Sequence, residues 1–190
     1  MVVRCVFVGF RVDAAWMSDH VAHAFETQFG EAFVGEGVNA AHINTVLGAK
    51  GGPVEAAWAT ALAQPAQGHV PFVTVLRPGL PVKPFTLFVN KASLTGERHA
   101  QLTWGAAQAG VARGVAEAVA NGIIDAARVD ALLLIAAVWV NPQADNADVV
   151  YTNNHLATYD ALRAGKERLP LLDDVLAART APFNPFFRPS

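Results

Sequence analysis

The longest uninterrupted apolar run in the chain, residues 131–140, is ten residues long, and that length restricts the fold more than any other feature. A helix needs about twenty apolar residues to cross a bilayer. A run half as long reads instead as a buried strand over 132–140, bounded by polar residues. Other apolar stretches are broken by charge. Residues 106–120 carry Gln108, Arg113 and Glu117 and read as an amphipathic helix. The N-terminal stretch contains Arg4 and Arg11 and lacks a small-residue cleavage site, so no signal peptide is expected. No membrane partner is expected either.

With the membrane set aside, composition poses a sharper question. Apolar residues make up 53% of the 190 and charged residues only 16%, which rules out intrinsic disorder. A chain of this size buries about 70% of its unfolded surface without staples. Fourteen Lys and Arg against sixteen Asp and Glu leave a net charge of -2 with no basic run, so nucleic acid is not an expected partner. The single cysteine, Cys5, excludes a disulfide framework and fits a reducing cytoplasm. So little charge leaves apolar surface to be covered, and other subunits are the remaining cover.

Turn residues divide the chain. Strands are expected over 31–34 and 41–47 around the Gly35-Glu-Gly37 turn, and over 70–76 and 86–90. The loop Gly48-Ala-Lys-Gly-Gly-Pro53 leads into a helix over 54–64, with Pro53 suited to its first turn. The longest helix is expected over 97–121, stopped by Gly122, and Asp125 is placed to cap a short helix before the buried strand. A further helix fits 153–164, stopped by Gly165, before a Pro- and Phe-rich tail. Interleaved strands and helices without strict alternation indicate an α+β layer fold. The expected organisation is an extension over 1–28, a domain over 29–170, and a C-terminal helix and tail over 171–190. Met17 offers an alternative translation start, which would leave residues 1–16 untranslated.

Few residues carry obvious chemistry. His42, in Asn39-Ala-Ala-His-Ile-Asn44, is either a strand-end histidine satisfied by backbone or a general acid or base. Lys91 and Ser93 share a face at the end of a strand, and Lys91 follows an apolar run that can bury its stem while its ammonium faces a cleft. Gln108 is a lone amide on an Ala- and Gly-rich helix; it needs a core hydrogen bond, a subunit contact or a ligand. His20 and His23, three apart, lack a third metal ligand nearby, and no metal site is expected. His69 and His99 read as structural or exposed. The GAKGGP loop lacks the Lys-Ser/Thr ending of a P-loop and reads as a tight turn. Asp145 and Asp148 read as a solvated loop pair.

Four segments in this order resemble the formaldehyde-activating enzyme family: Gly30-Glu-Ala-Phe-Val-Gly-Glu-Gly37 with Ala41-His-Ile43, Arg77-Pro-Gly-Leu-Pro-Val-Lys-Pro84, Gly105-Ala-Ala-Gln108, and Asn121-Gly-Ile-Ile124. The resemblance runs from about residue 29 to 165. It implies a fold like the second domain of ribosomal protein S5, with helices packed on one side of a sheet, and a homopentamer with active sites between subunits. It also implies a lyase reaction of one-carbon metabolism, in which formaldehyde condenses with tetrahydromethanopterin to give methylenetetrahydromethanopterin and water. The reduced pterin is a co-substrate, and no covalently bound cofactor is implied.

By the same resemblance His42 is the general acid, and Asn44, Val73, Lys91, Ser93 and Gln108 contact the substrate. Several of these depart from the family pattern. Asn44 stands where the family has Asp, Ser93 where it has Thr, and Val73 where it has Leu. Asn141 replaces a histidine, and Asn153-Asn154-His155-Leu156 replaces Tyr-Asn-Tyr-Glu. These changes mark a divergent homologue. The alternative is a non-catalytic paralogue that binds a reduced pterin or a formaldehyde adduct as carrier or sensor.

Overall fold

The apolar run becomes β7 (Leu132–Val140), the middle strand of a five-stranded mixed sheet in the computed structural model, which describes residues 25–184 and 187–189. Most of the expected N-terminal extension, with its alternative start at Met17 and the His20/His23 pair, lies outside the described residues. The sheet order is β1 (Gln28–Val34), β2 (Ala41–Ala49), β7, β6 (Phe85–Asn90), β3 (Phe72–Val73). Neighbours are antiparallel except β6 and β7, which run parallel. Thus the architecture is α+β. No helix among the described residues is long and apolar enough to cross a membrane.

Two-residue periodicity sorts the side chains by face. Leu132, Leu134, Ala136, Val138 and Val140 of β7 are buried in the core, as are Ala41, Ile43 and Leu47 of β2. The intervening Ile135, Ala137 and Trp139, and His42, Asn44 and Val46, are only half-buried. One face of the sheet is therefore covered, and the other is partly open where His42 stands.

Cover comes from α3 (Gln108–Ala120) and α4 (Ala147–Glu167), whose Val111, Val115, Ala157, Ala161 and Leu162 join the core. Close approach requires glycine at β1. A Cβ on Gly30 would sit 1.8 Å from the Ala161 carbonyl oxygen, so α4 rests directly on backbone. α1 (Pro53–Ala63) packs against the ends of β2 and β7, with Val54 filling the space over Gly48. That contact is six residues along β2 from His42.

Three expectations are corrected in detail. The helix expected over 153–164 runs instead from Ala147 to Glu167. Asn146 caps its start by accepting from the N–H groups of Asp148 and Val149, and Arg168, at φ 57°, closes its end. Gly165 lies inside the helix because it faces the Phe29 carbonyl, 3.1 Å from where a Cβ would be. The strand expected over 70–76 is divided: β3 joins the main sheet, while β4 (Val75–Arg77) turns away to pair with β5 (Leu80–Pro81). Thr74 sits at the switch, donating its N–H to Thr86 and accepting from Val82. The long helix expected over 97–121 is present but not uniform. It runs as α2 (Gly96–Gln101), a π-helical stretch (Leu102–Ala107) and α3. Gly122, at φ 71°, ends it, with its N–H on the Val119 carbonyl and that of Ile124 on Ala118. Asp125 caps a 3-10 turn, Ala126–Arg128, and α5 (Leu172–Ala178) precedes the tail.

Candidate active site

The site grows out of strand register. On β2, His42 lies between Phe33 of β1 and Trp139 of β7, its direct cross-strand partners. Asn44, one step along the same face, is opposite Glu31 of β1 and Ala137 of β7. Lys91 follows β6, its N–H bonded to the Val138 carbonyl at 2.7 Å, which delivers its side chain to the open face. Glu31, His42, Asn44 and Lys91 thus converge from three strands.

They form one polar chain. Lys91 Nζ donates to Asn44 Oδ1 at 2.7 Å and lies 3.3 Å from His42 Nδ1. The other ring nitrogen, Nε2, is 2.9 Å from Glu31 Oε1. An ammonium can only donate and a carboxylate only accept. Nδ1 is therefore the acceptor, and the neutral ring carries its proton on Nε2. The Phe33 ring stands 6.0 Å from the imidazole, tilted by 49°.

Electrostatics follow from this placement. Burial, and then repulsion from Lys91, pushes the His42 pKa below its ordinary 6.5, while Glu31 acts in the opposite direction. Lys91 is itself pushed below its usual lysine value, chiefly by burial, with Glu31 again opposing. The imidazole remains accessible: the side chains of His42 and Glu31 are 37% and 60% exposed.

A cavity of about 1140 Å³ opens over these groups, lined by Glu31, Phe33, His42, Lys91, Trp139 and Asn141 together with the 35–38 turn and residues of the tail. The turn is held in place by Asn39. Its Oδ1 accepts from the N–H groups of Asp145 and Asn146, its Nδ2 donates to Asp145 Oδ1, and its carbonyl accepts from Asn153 Nδ2. The loop after β1 is thereby fastened to the start of α4. From the tail, Phe183, Asn184 and Arg188 face the cavity.

The other expected contact residues stand apart from this cluster. Val73 is in β3, paired with Leu87. Ser93 Oγ is 3.5 Å from His69 Nε2. Gln108 is buried, its Nε2 donating to the Val75 carbonyl at 2.6 Å. None of the three lines the cavity. Glu31, Phe33 and Trp139 were not singled out from sequence. Alternation about His42 and its neighbouring strands is the signal that points to them. The bland expectations have their own partners: His99 is buried with Nε2 3.0 Å from the Val140 carbonyl, and the Gly51 N–H of the GAKGGP turn donates to Glu55.

Residues 29–187 match the family described as formaldehyde-activating enzyme (Fae). The chain belongs to that family. A 5,6,7,8-tetrahydromethanopterin hydro-lyase of Methanosarcina barkeri is 38% identical over 166 residues, which is 87% of this chain and 93% of that protein. Bifunctional Fae/Hps enzymes are also similar. That of Archaeoglobus fulgidus is 39% identical over 161 residues, and that of Methanosarcina mazei 39% identical over 149. The alignments cover 85% and 78% of this chain but only 41% and 38% of the two bifunctional proteins. The Fae family match takes in the whole polar chain, from Glu31 to Lys91.

Proposed function

We propose that this chain is a formaldehyde-activating lyase that condenses formaldehyde with tetrahydromethanopterin, with His42 as the proton donor. The observation that supports this most directly is a solvent-reachable imidazole, bonded at both ring nitrogens, in the floor of a large cavity of a Fae-family chain.

The chemistry needs a proton at one point. A secondary amine of the pterin adds to formaldehyde unaided and gives a carbinolamine. Hydroxide is a poor leaving group, so imidazolium Nε2–H protonates that hydroxyl and water departs. The second pterin amine closes on the resulting iminium, and its proton returns to the now neutral His42. Two N–H groups and one formaldehyde thus give one methylene bridge and one water. Charging the ring puts a proton on Nδ1 and ends its acceptance from Lys91. Nε2–H, on the side of the exposed Glu31, is the proton given to the hydroxyl. The second amine's proton returns to Nε2 before Nδ1 gives up its own and accepts from Lys91 again. Phe33 and Trp139 offer flat apolar walls to a ring held over the imidazole, and register between the two amines comes from that confinement. Lys91 supplies a polar contact at the floor, held by its bond to Asn44, which does not itself line the cavity.

The same reading places Val73, Ser93 and Gln108 on a second patch that contacts the pterin from a neighbouring subunit, in a homopentamer of S5 domain 2-like units acting in the cytoplasm. Its support is that these three do not reach the His42 cavity within one chain, and that Val70, Leu76, Leu80 and Trp104 are exposed. The catalytic unit of this reading is centred on residues 29–170, with the tail adding Phe183, Asn184 and Arg188 to the cavity wall.

Mixing the purified protein with formaldehyde and tetrahydromethanopterin tests the proposal. Methylene-pterin should form faster than the spontaneous condensation. Pterin binding without acceleration would instead identify a carrier.

A further inference from the structure

We infer that Glu31 is the positioning carboxylate of this site: from the neighbouring strand it holds the His42 proton on Nε2 and supplies the negative charge that lets the imidazole be protonated beside Lys91.

A charge count carries the inference. At rest the cluster holds one ammonium, one carboxylate and a neutral ring, which sums to zero. Protonating His42 brings a second cation to 3.3 Å from Lys91 Nζ. Asn44, bonded to the same Nζ, is neutral and cannot offset it. The charged groups lining the cavity are Glu31 on β1, Glu36 in the following turn, Lys91 after β6 and Arg188 in the tail, while β7 presents the uncharged Trp139. Of these, Glu31 is the carboxylate bonded to the ring. Remove it and proton donation would have to occur next to an unbalanced ammonium.

Geometry fixes the second part of the role. With Lys91 donating to Nδ1, a carboxylate at Nε2 is what holds the ring in the Nε2–H form and sets its rotation. Register explains the choice of residue. Glu31 is directly opposite Asn44 and diagonal to His42 across the β1–β2 ladder, within reach of a long side chain on the same face. Position 44 lies on the Lys91 side of the ring, so a carboxylate there would restore the negative charge without the Nε2 contact.

The inference rests on His42 as proton donor, but its first readout does not involve catalysis. In the ¹⁵N-labelled full chain, the His42 ring nitrogens are followed through a pH titration without substrate, with their signals identified by loss in His42→Ala. The native ring should show the Nε2–H tautomer when neutral. Glu31→Gln should lower the His42 pKa, and Glu31→Asp should leave it nearer the native value. Adding Asn44→Asp to Glu31→Gln should raise it again. In turnover, Glu31→Gln should lower kcat at neutral pH by about tenfold and move the pH profile to lower pH, with the pterin KM little changed. An unchanged His42 pKa and tautomer in Glu31→Gln would overturn the assignment. So would a raised KM with an intact pH profile, which would make Glu31 a substrate contact only. If the titration shifts as expected in a protein that shows no catalysis, the proton-donor reading fails and the control of His42 by Glu31 stands. Since Glu31 is exposed on an edge strand, these variants should fold, and circular dichroism checks that they do.

Discussion

His42 is held below its ordinary pKa of 6.5 by burial and by Lys91, and this has a direct kinetic sign. In the folded protein the ring is mostly neutral at neutral pH, and the imidazolium needed for donation is the minor form. Lowering the pH toward and below 6.5 charges it, so kcat/KM corrected for the spontaneous reaction should climb as pH falls from the mildly alkaline range. Lys91→Met removes the repulsion, raises the His42 pKa and moves that climb to higher pH. A pH–rate series on the two proteins checks both signs. Stability follows the same linkage. The unfolded histidine binds its proton more readily than the folded one, so the contribution of His42 to stability falls as pH drops through 6.5.

At the scale of elements, glycine placement holds the sheet and helices at contact distance. Gly30→Ala would drive a methyl into the Ala161 carbonyl and force β1 away from α4. About 3 kcal/mol of stability should be lost, readable in urea unfolding. Asn146→Ala removes the cap from α4 and should cost about 1 kcal/mol by the same measurement. These elements also show how far the sequence could be read. The buried strand over 132–140 was legible because its composition admits little else. The start of α4 was missed because 147–152 lacks a strong apolar stripe and its signal is a cap, Asn146. Gly165 looked like a stop because a glycine required by packing and one required by φ are identical in sequence. The family resemblance names His42, Asn44 and Lys91, which the structure brings together, along with Val73, Ser93 and Gln108, which it leaves apart. Alternation puts Glu31, Phe33 and Trp139 on one face of their strands, but their place beside His42 arises from pairing between strands that the sequence does not register. The π-helical stretch before Gln108 had no sequence signal either. Gln108, the residue that follows it, donates its amide to the Val75 carbonyl.

For the whole molecule, sparse charge and the separation of Val73, Ser93 and Gln108 from the His42 cavity both favour assembly. The proposed pentamer predicts a mass near five times 20.1 kDa in light scattering. Dilution or a charge placed at exposed Leu76 should reduce mass and turnover together, while a fully active monomer would contradict shared sites. The centre of the functional reading is His42 itself, and the most direct measurement compares methylene-pterin formation by native protein and by His42→Ala under saturating pterin. The variant should retain pterin binding and fold but lose about a hundredfold or more of the rate above the spontaneous reaction. Native activity in His42→Ala would contradict the assignment of His42 as proton donor.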